Sequence, residues 1–339
     1  MTVADVPTSL PAWPQPDADL FVGRYRLSPA HFRVDEQPGW TPSGTGEHLL
    51  VRVEKRGANT AWVARALAAR GGATATDVGY CGEKDRHAVT TQWFSLRDPK
   101  GRFDGLQVGD GDAEWSILER VRHDRKLRRG DHAANRFRLG IALDAVADPG
   151  GIEAALVHAR ERLARGVPNY FGPQRFGRDG GNIARAASWV EHGRLPGRGP
   201  ERGRVLSTAR SLLFNAVLGE RVRRANFAEV LDGDVLDDGV PTGPLWGRGR
   251  GAAAGHAAAI EAVALAGYGD WCARLEHVGL TQERRALVLR PRGASIVPNE
   301  EGLELTFELP PGAFATAVLQ GLGSFTDVTD VGMVNVDRQ

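Results

Sequence analysis

Apolar and polar positions alternate with two different periods along this chain. Apolar residues take every second position over 137–143 and again over 303–309, which predicts two half-buried strands. Further strands are predicted over 49–53, 77–81, 89–96 and 115–121. Helical spacing predicts helices over 61–70, 152–165, 182–192, 207–224, 257–274 and 312–322. The helical period dominates from residue 166 to about 289, so a mixed α+β body is expected to be interrupted by a mostly helical insertion.

Composition fits a globular protein and excludes several other classes. The chain has 339 residues, of which 42% are apolar and 25% charged, enough for two domains with real cores. The formal net charge is +1, so any footprint for nucleic acid must be local. Cys81 and Cys272 lie far apart and no metal-ligand spacing surrounds them, which argues against a zinc site or a disulfide scaffold.

The N-terminal segment and the apolar runs bear on location. No apolar run approaches the roughly 18 residues of a membrane span. Residues 1–19 contain four prolines and no basic start, which is unlike a signal peptide. We therefore expect a flexible N-terminal arm over 1–19 and a cytoplasmic protein.

A charged loop between two predicted strands is the first candidate for chemistry. Residues 83–87 read Glu-Lys-Asp-Arg-His, and loops of this kind display functional side chains on a rigid scaffold. Asp85 has a cation on either side, and nearby cations favour the ionised carboxylate. An ionised, held carboxylate is a competent nucleophile or base. Lys84 and Arg26 are candidates for holding it ionised. The alternative is a solvated turn with no chemistry.

A cysteine nucleophile is a further alternative in the same region. Cys81 lies close to His87, and a cysteine beside a histidine can be activated. Cys81, however, falls in a predicted buried strand, where cysteine usually serves as a small apolar residue.

Basic charge gathers locally in a segment that we call the basic stripe, residues 116–138. It holds eight basic side chains against three acidic ones and could bind several phosphates. Asn135 and Phe137 lie inside it, and these residue types can bond a base edge and stack on a base face. Arg175 and Arg178 form a second group, interleaved with aromatic residues. A solvated hairpin and an aromatic core contact are the alternatives for the two groups.

Several of these segments resemble one known family. The matching segments are 28–34 (SPAHFRV), 44–51 (GTGEHLLV), 84–90 (KDRHAVT), 166–177 (GVPNYFGPQRFG), 209–215 (ARSLLFN) and 311–316 (PGAFAT). Together they make the chain similar to the TruD family of tRNA pseudouridine synthases, over most of its length.

The resemblance implies a fold and a domain division. The fold is α+β, with a mixed, largely antiparallel sheet in a pseudouridine synthase-like catalytic domain and a mostly helical inserted domain. The catalytic domain is expected over 20–165 and 290–339, and the inserted domain over 166–289.

The resemblance also implies an activity and its residues. The activity is isomerisation of a uridine of tRNA, uridine 13 in the family, to pseudouridine. Asp85 takes the place of the catalytic aspartate, and Phe32, Asn135, Phe314 and Phe137 take those of substrate contacts. The implied partner is tRNA, with no membrane and no protein partner. Substrate and product have the same atoms, so no cofactor and no metal is expected.

Two other functions remain open at this level. One is a tRNA-binding folding chaperone with an inactive pocket. The other is a nucleoside glycosidase, in which Asp85 breaks the glycosidic bond and water completes the reaction. Retention of Asp85 together with the aromatic contacts argues against the chaperone.

Overall fold

The computed structural model describes residues 11–177 and 180–329. Its strands are β1 (Phe21–Tyr25), β2 (Phe32–Pro38), β3 (His48–Arg56), β4 (Val78–Tyr80), β5 (Val89–Arg97), β6 (Trp115–His123), β7 (His132–Val146), β8 (Val167–Pro168), β9 (Leu236–Asp237), β10 (Val240–Leu245), β11 (Glu283–Ala286), β12 (Val288–Leu289), β13 (Arg292–Asn299), β14 (Gly302–Leu309) and β15 (Gly323–Asp327). Its helices are α1 (Thr60–Arg70), α2 (Gly151–Arg165), α3 (Pro173–Phe176), α4 (Gly181–His192), α5 (Pro200–Arg223), α6 (Gly255–Leu265), α7 (Gly269–Glu276) and α8 (Ala315–Gln320). None of the helices described is long and apolar enough to cross a membrane.

The chain forms two compact units. Of the described residues, the sheet unit comprises 20–160, 291–312 and 324–329. The helical unit comprises the described residues within 11–19, 161–290 and 313–323. The segment 313–323 therefore groups with the helical unit, whereas the sequence placed it with the sheet.

The sheet unit is built on one large mixed sheet. Its main path runs β13-β14-β7-β2-β5-β3-β6, and β1 and β4 add to it through β7 and β5. β2 and β5 run parallel, while β7 pairs antiparallel with β1, β2 and β14. Leu305 lies opposite Leu139, so the two segments with strict alternation are neighbours in one sheet, as their period requires. The predicted α+β class with a mixed, largely antiparallel sheet is confirmed.

Helix α1 covers the β3–β5 part of this sheet with one apolar face. Val63 and Leu67, one turn apart, are fully buried against strand residues such as Val51 and Phe94. The helix ends before Gly71, where a Cβ atom would lie 2.2 Å from the Phe103 ring. The stop that the sequence predicts there is therefore also a close packing contact.

The helical unit has its own core around α5. Leu212, Leu213 and Phe214 are fully buried there, together with residues of α4 and α7. A small sheet of order β11-β10-β9 accompanies the helices. Its middle strand, β10, includes Gly243 and Pro244, although neither residue type favours a strand.

The described part of the N-terminal segment differs from the expected flexible arm. Trp13 stacks on Tyr170 with ring centroids 5.9 Å apart, and the Tyr170 hydroxyl donates to the Pro14 carbonyl at 2.9 Å. Asp17 forms an ion pair with Arg165. Residues 11–19 are thus packed on the helical unit, because their aromatic ring buries apolar surface; residues 1–10 lie outside the described residues.

Other elements depart from the expectation in identifiable ways. The single helix expected over 257–274 is two helices, α6 and α7, which residues 266–268 separate. Helix α5 begins at Pro200 rather than near residue 207, since proline is well suited to a first helical position. Strands β1, β2, β10, β13 and β15 were not predicted, nor were the short strands β8, β9, β11 and β12.

Candidate active site

Asp85 lies in the loop between β4 and β5, and its carboxylate is held at both oxygens. Oδ2 accepts a hydrogen bond from the Arg26 guanidinium at 2.5 Å, and Oδ1 accepts one from the His87 backbone N–H at 2.9 Å. The Asp85 side chain remains 22% exposed. A carboxylate that is ion-paired yet accessible can act on a substrate, as the sequence predicts for this residue.

Arg26 organises the surroundings of Asp85. It follows β1 with a φ of +62°, and its guanidinium bridges Asp85 and Asp327, which it meets at 2.7 Å. The same guanidinium lies 4.0 Å from the centre of the Phe32 ring. Because the Arg26 side chain is almost fully buried, its charge acts in a poorly solvated setting where such pairs are strong.

Lys84 does not serve Asp85, although it precedes that residue in the chain. Its ammonium donates to the Glu36 carboxylate at 2.7 Å, and both side chains are buried. The other oxygen of Glu36 accepts from the Trp93 backbone N–H at 3.1 Å. Of the two cations expected to hold Asp85 ionised, Arg26 therefore makes the contact through its side chain and Lys84 does not.

Three of the expected substrate contacts lie on neighbouring strands of the sheet unit. Phe32 on β2 meets Phe137 on β7 edge to face, with centroids 6.2 Å apart, and Phe137 stacks on Phe307 at 5.2 Å. Asn135 lies two residues before Phe137, so it shares a face of β7 with it. Its Nδ2 lies 3.2 Å from His132 Nε2, and its Oδ1 has no hydrogen-bond partner among the described residues.

The fourth expected contact, Phe314, belongs to the helical unit. It precedes α8, and its ring lies 5.8 Å from Phe171 and 5.7 Å from the Arg175 guanidinium. The structure thus brings Asp85, Phe32 and Phe137 together around Arg26 and its neighbours, and it places Phe314 in an aromatic and cationic cluster of its own unit. Arg178, expected in that cluster, lies outside the described residues.

Cys81 has the setting of a structural cysteine. Burial raises the pKa of its thiol to about 12, which argues against the alternative of a cysteine nucleophile. Its sulfur lies with donor atoms of Glu36 and His132 in a buried group whose atoms are all within 4.8 Å of one another. The Lys84 ammonium already neutralises Glu36, so a cation is supplied there by the chain itself.

The basic stripe carries less unpaired charge than its sequence indicates. Five of its eight cations form ion pairs with acidic side chains: Arg122 with Asp98 and Asp104, Arg125 with Asp131, Arg129 with Glu83, Arg136 with Glu308, and Arg138 with Glu304. Arg120 and Lys126 donate to backbone carbonyls. Most of these partners lie far away in sequence, so counting charges within the segment could not find them.

Sequence reasoning missed Glu36, Asp327 and Lys55. For Glu36 a signal exists: it follows Phe32 and Val34 at alternate positions of β2, and it is buried with them. A carboxylate on an apolar face requires a buried partner. Asp327 and Lys55 offer no comparable signal, because their partners are set by the fold.

Comparisons with known proteins bear on the family of this chain. The family model described as tRNA pseudouridine synthase D (TruD) matches residues 17–189. A tRNA pseudouridine synthase D from Cellvibrio japonicus is 44% identical over 315 residues, covering 89% of this chain and 90% of that one. The enzyme of the same name from Xanthomonas campestris (strain 8004) is also 44% identical, over 338 residues that cover 88% and 91%.

One solved structure shares the fold. A Methanosarcina mazei protein that carries the name tRNA pseudouridine synthase D (TruD) superposes with a TM-score of 0.66 at 19% identity, covering 95% of this chain and 98% of that one. The two proteins therefore share a fold. On the match of the family model and the identity to its relatives, the chain belongs to the TruD family, and the resemblance in its motifs is confirmed.

Proposed function

We propose that this chain converts a uridine of tRNA, uridine 13 by family resemblance, to pseudouridine, with Asp85 as its catalytic carboxylate. The observation that carries this assignment is the carboxylate held between the Arg26 guanidinium and the His87 amide, beside Phe32. The functional division, 20–165 and 290–339 for catalysis and 166–289 for the insertion, is part of the proposal. It differs from the two compact units, which group residues 161–165, 290 and 313–323 with the helical unit.

The reaction breaks one bond to the ribose and forms another. The bond between uracil N1 and ribose C1′ breaks, the uracil turns, and its C5 joins C1′; C5 then gives up its proton to solvent, while N1 takes one up. A carboxylate can capture or stabilise the electron-poor C1′, as in retaining glycosidases. Asp85 either attacks C1′ directly or removes a ribose proton to give a glycal, and both routes need it ionised. Arg26 fixes the direction of the carboxylate through its contact with Oδ2.

The neighbouring aromatic residues are proposed to hold the uracil while it turns. The target nucleotide leaves its stack at a cost of a few kcal/mol, and stacking on a protein ring offsets part of that cost. Phe32 and Phe137 are assigned to this role on their positions, and Phe314 on the family resemblance alone. Asn135 is assigned to the base edge, since its Oδ1 can accept a hydrogen bond from an N–H group.

The substrate also determines the proposed setting. Because tRNA is found inside the cell, we assign the protein to the cytoplasm. Isomerisation leaves the atoms of the nucleotide unchanged, so no redox or group-transfer cofactor is needed. The comparisons give no support to the alternative of a folding chaperone without catalysis.

The test is the Asp85→Asn variant against unmodified tRNA transcript. Tritium released from C5 of labelled uridine and mapping with a carbodiimide reagent both report the reaction. We expect no turnover, with the tRNA dissociation constant within about threefold of wild type, because backbone contacts dominate affinity. Asp124→Asn, the same change at an exposed site of the sheet unit, is the control.

Two outcomes would contradict parts of the proposal. A single-turnover rate above a tenth of wild type in Asp85→Asn would remove Asp85 from its catalytic role. Free uracil in place of a carbon-linked nucleoside would identify a glycosidase instead.

A further inference from the structure

The loop that carries Asp85 lacks regular backbone hydrogen bonding and is fastened by buried side chains. The Gly82 carbonyl accepts from Gln92 Nε2 at 3.1 Å, and the Lys84 N–H donates to Thr60 Oγ1 at 2.9 Å. Thr60 in turn donates to Gln92 Oε1 at 2.7 Å. These residues come from β5 and the start of α1, so the loop depends on contacts that no local sequence supplies.

Lys55 makes three further contacts, two of them to this loop. It lies on β3 and is 1% exposed. Its ammonium donates to the backbone carbonyls of Ala58 at 2.8 Å, Lys84 at 3.2 Å and Asp85 at 2.9 Å. A lysine ammonium has three donors, and here each donor has one carbonyl acceptor.

A buried ammonium bound to neutral carbonyls is unfavourable compared with an apolar side chain of the same length. Burial lowers the pKa of Lys55 to about 8, while the nearby Asp85 charge works in the opposite direction and the Lys84 charge adds to the lowering. If Lys55 served only to fill space in the core, a methionine of similar length would serve equally well. The contacts to Lys84 and Asp85 point to a role at the reacting carboxylate.

We propose that Lys55 is a positioning residue for the reaction: it fixes the backbone of residues 84–85, and with it the direction of the Asp85 carboxylate, and it places a positive charge behind that carboxylate. This inference rests on the proposed function. It assigns to Lys55 no contact with substrate, since its side chain is buried.

The size of the effect follows from the geometry of the reaction. Asp85 must approach C1′ closely, and a displacement of about 1 Å can lower a rate about 100-fold. Arg26 and His87 hold the end of the side chain, whereas Lys55 holds the backbone from which it extends. Both ends are needed to define one position.

The first experiment compares Lys55→Met with Lys100→Met, the same change at an exposed lysine. We expect Lys55→Met to lower the single-turnover rate about 100-fold, with the tRNA dissociation constant within about threefold of wild type. Lys100→Met should leave both unchanged. A folded Lys55→Met protein, by circular dichroism and thermal melting, with a rate within threefold of wild type overturns the inference.

The second experiment uses wild-type protein, so it tests the inference even if Lys55→Met fails to fold. The chain has four lysines, Lys55, Lys84, Lys100 and Lys126, so lysine labelled at Cε gives four resolvable NMR signals. We expect the Lys55 signal to titrate near pH 8 and the single-turnover rate to fall over the same range. Asp85 and Lys84 are the charged groups that act on it.

Asp85→Asn supplies a readout that a purely structural lysine would not give. Removing the carboxylate charge takes away an influence that raises the pKa of Lys55, so the Lys55 signal should titrate at lower pH in that variant. An unchanged titration, or a wild-type rate that stays constant while Lys55 loses its proton, overturns the inference. Absence of pseudouridine with wild-type protein instead overturns the proposed function, and the inference with it.

Discussion

Two charged regions of the sheet unit, the loop around Asp85 and the basic stripe, have similar compositions and opposite environments. Around the loop, Lys55, Lys84 and Glu36 are buried, and each is bound to partners that fix its position. In the stripe, Arg129 and Arg136 keep 75% and 60% of their side chains exposed, although both form ion pairs. Exposed pairs contribute about 0–1 kcal/mol, whereas a buried pair cannot lose one member without a large cost. The buried charges therefore fix the conformation of the loop, whereas the exposed charges of the stripe remain available to a polyanion.

The largest expected difference concerns Arg26 and Arg24, two arginines at β1 with opposite exposure. Arg26→Met leaves the Asp85 and Asp327 carboxylates without the guanidinium that bridges them, and we expect a loss of about 3 kcal/mol in stability and of more than about 100-fold in rate. Arg24→Met breaks an exposed pair with Asp144 and should lower stability by less than about 1 kcal/mol. Urea unfolding and tritium release measure both. Equal losses of stability and rate in the two variants would contradict the expected difference between buried and exposed charges.

The second comparison sets the Glu36–Lys84 pair against the exposed Glu83–Arg129 pair. Lys84→Met leaves Glu36 buried without its cation, so we expect a loss of about 3 kcal/mol in stability. Adding Glu36→Gln should restore part of it, because the charge is then gone. Arg129→Met should change the free energy of unfolding by less than about 1 kcal/mol. A double variant no more stable than Lys84→Met would show that the pair is not the source of the loss.

The smallest effect is expected in the stripe itself. If Arg125 and Lys126 reach phosphates, replacing both with alanine should flatten the slope of log affinity against log salt by up to about two units, with stability unchanged. The ion pair of Arg125 with Asp131 would have to open, so a smaller change is also consistent with contact. Filter binding of tRNA at several salt concentrations measures the slope, and Glu119→Gln is a control of opposite charge in the same stripe.

An unchanged slope in that double variant would mean that the stripe faces away from the RNA. Arg86 beside Asp85, the proposed catalytic carboxylate, and Arg194 in the helical unit, both exposed, would then be the next arginines to replace.

Much of the architecture follows from the sequence by itself. Strict alternation identified β7 and β14, and helical spacing identified α1, α2 and α4, because in these elements one face is apolar throughout. Strand β2 was not predicted because Glu36 interrupts its apolar face. A buried carboxylate there is stable only with the Lys84 ammonium beside it. Strand β13 was not predicted because Ile296 is its buried residue and the other positions are mostly exposed, so no alternation is visible. A local pattern cannot report a partner supplied from elsewhere.

The charges around Asp85 show the same limit most clearly. The sequence determined the family and singled out Asp85, since the motif is contiguous. It also suggested Lys84 as a partner, because the two residues are adjacent. In the folded chain the Lys84 ammonium reaches Glu36, 48 positions away, and Asp85 receives Arg26 from 59 positions away. Neighbouring residues of an extended chain point to opposite sides, so adjacency separates their side chains, and only the tertiary structure decides which charges meet.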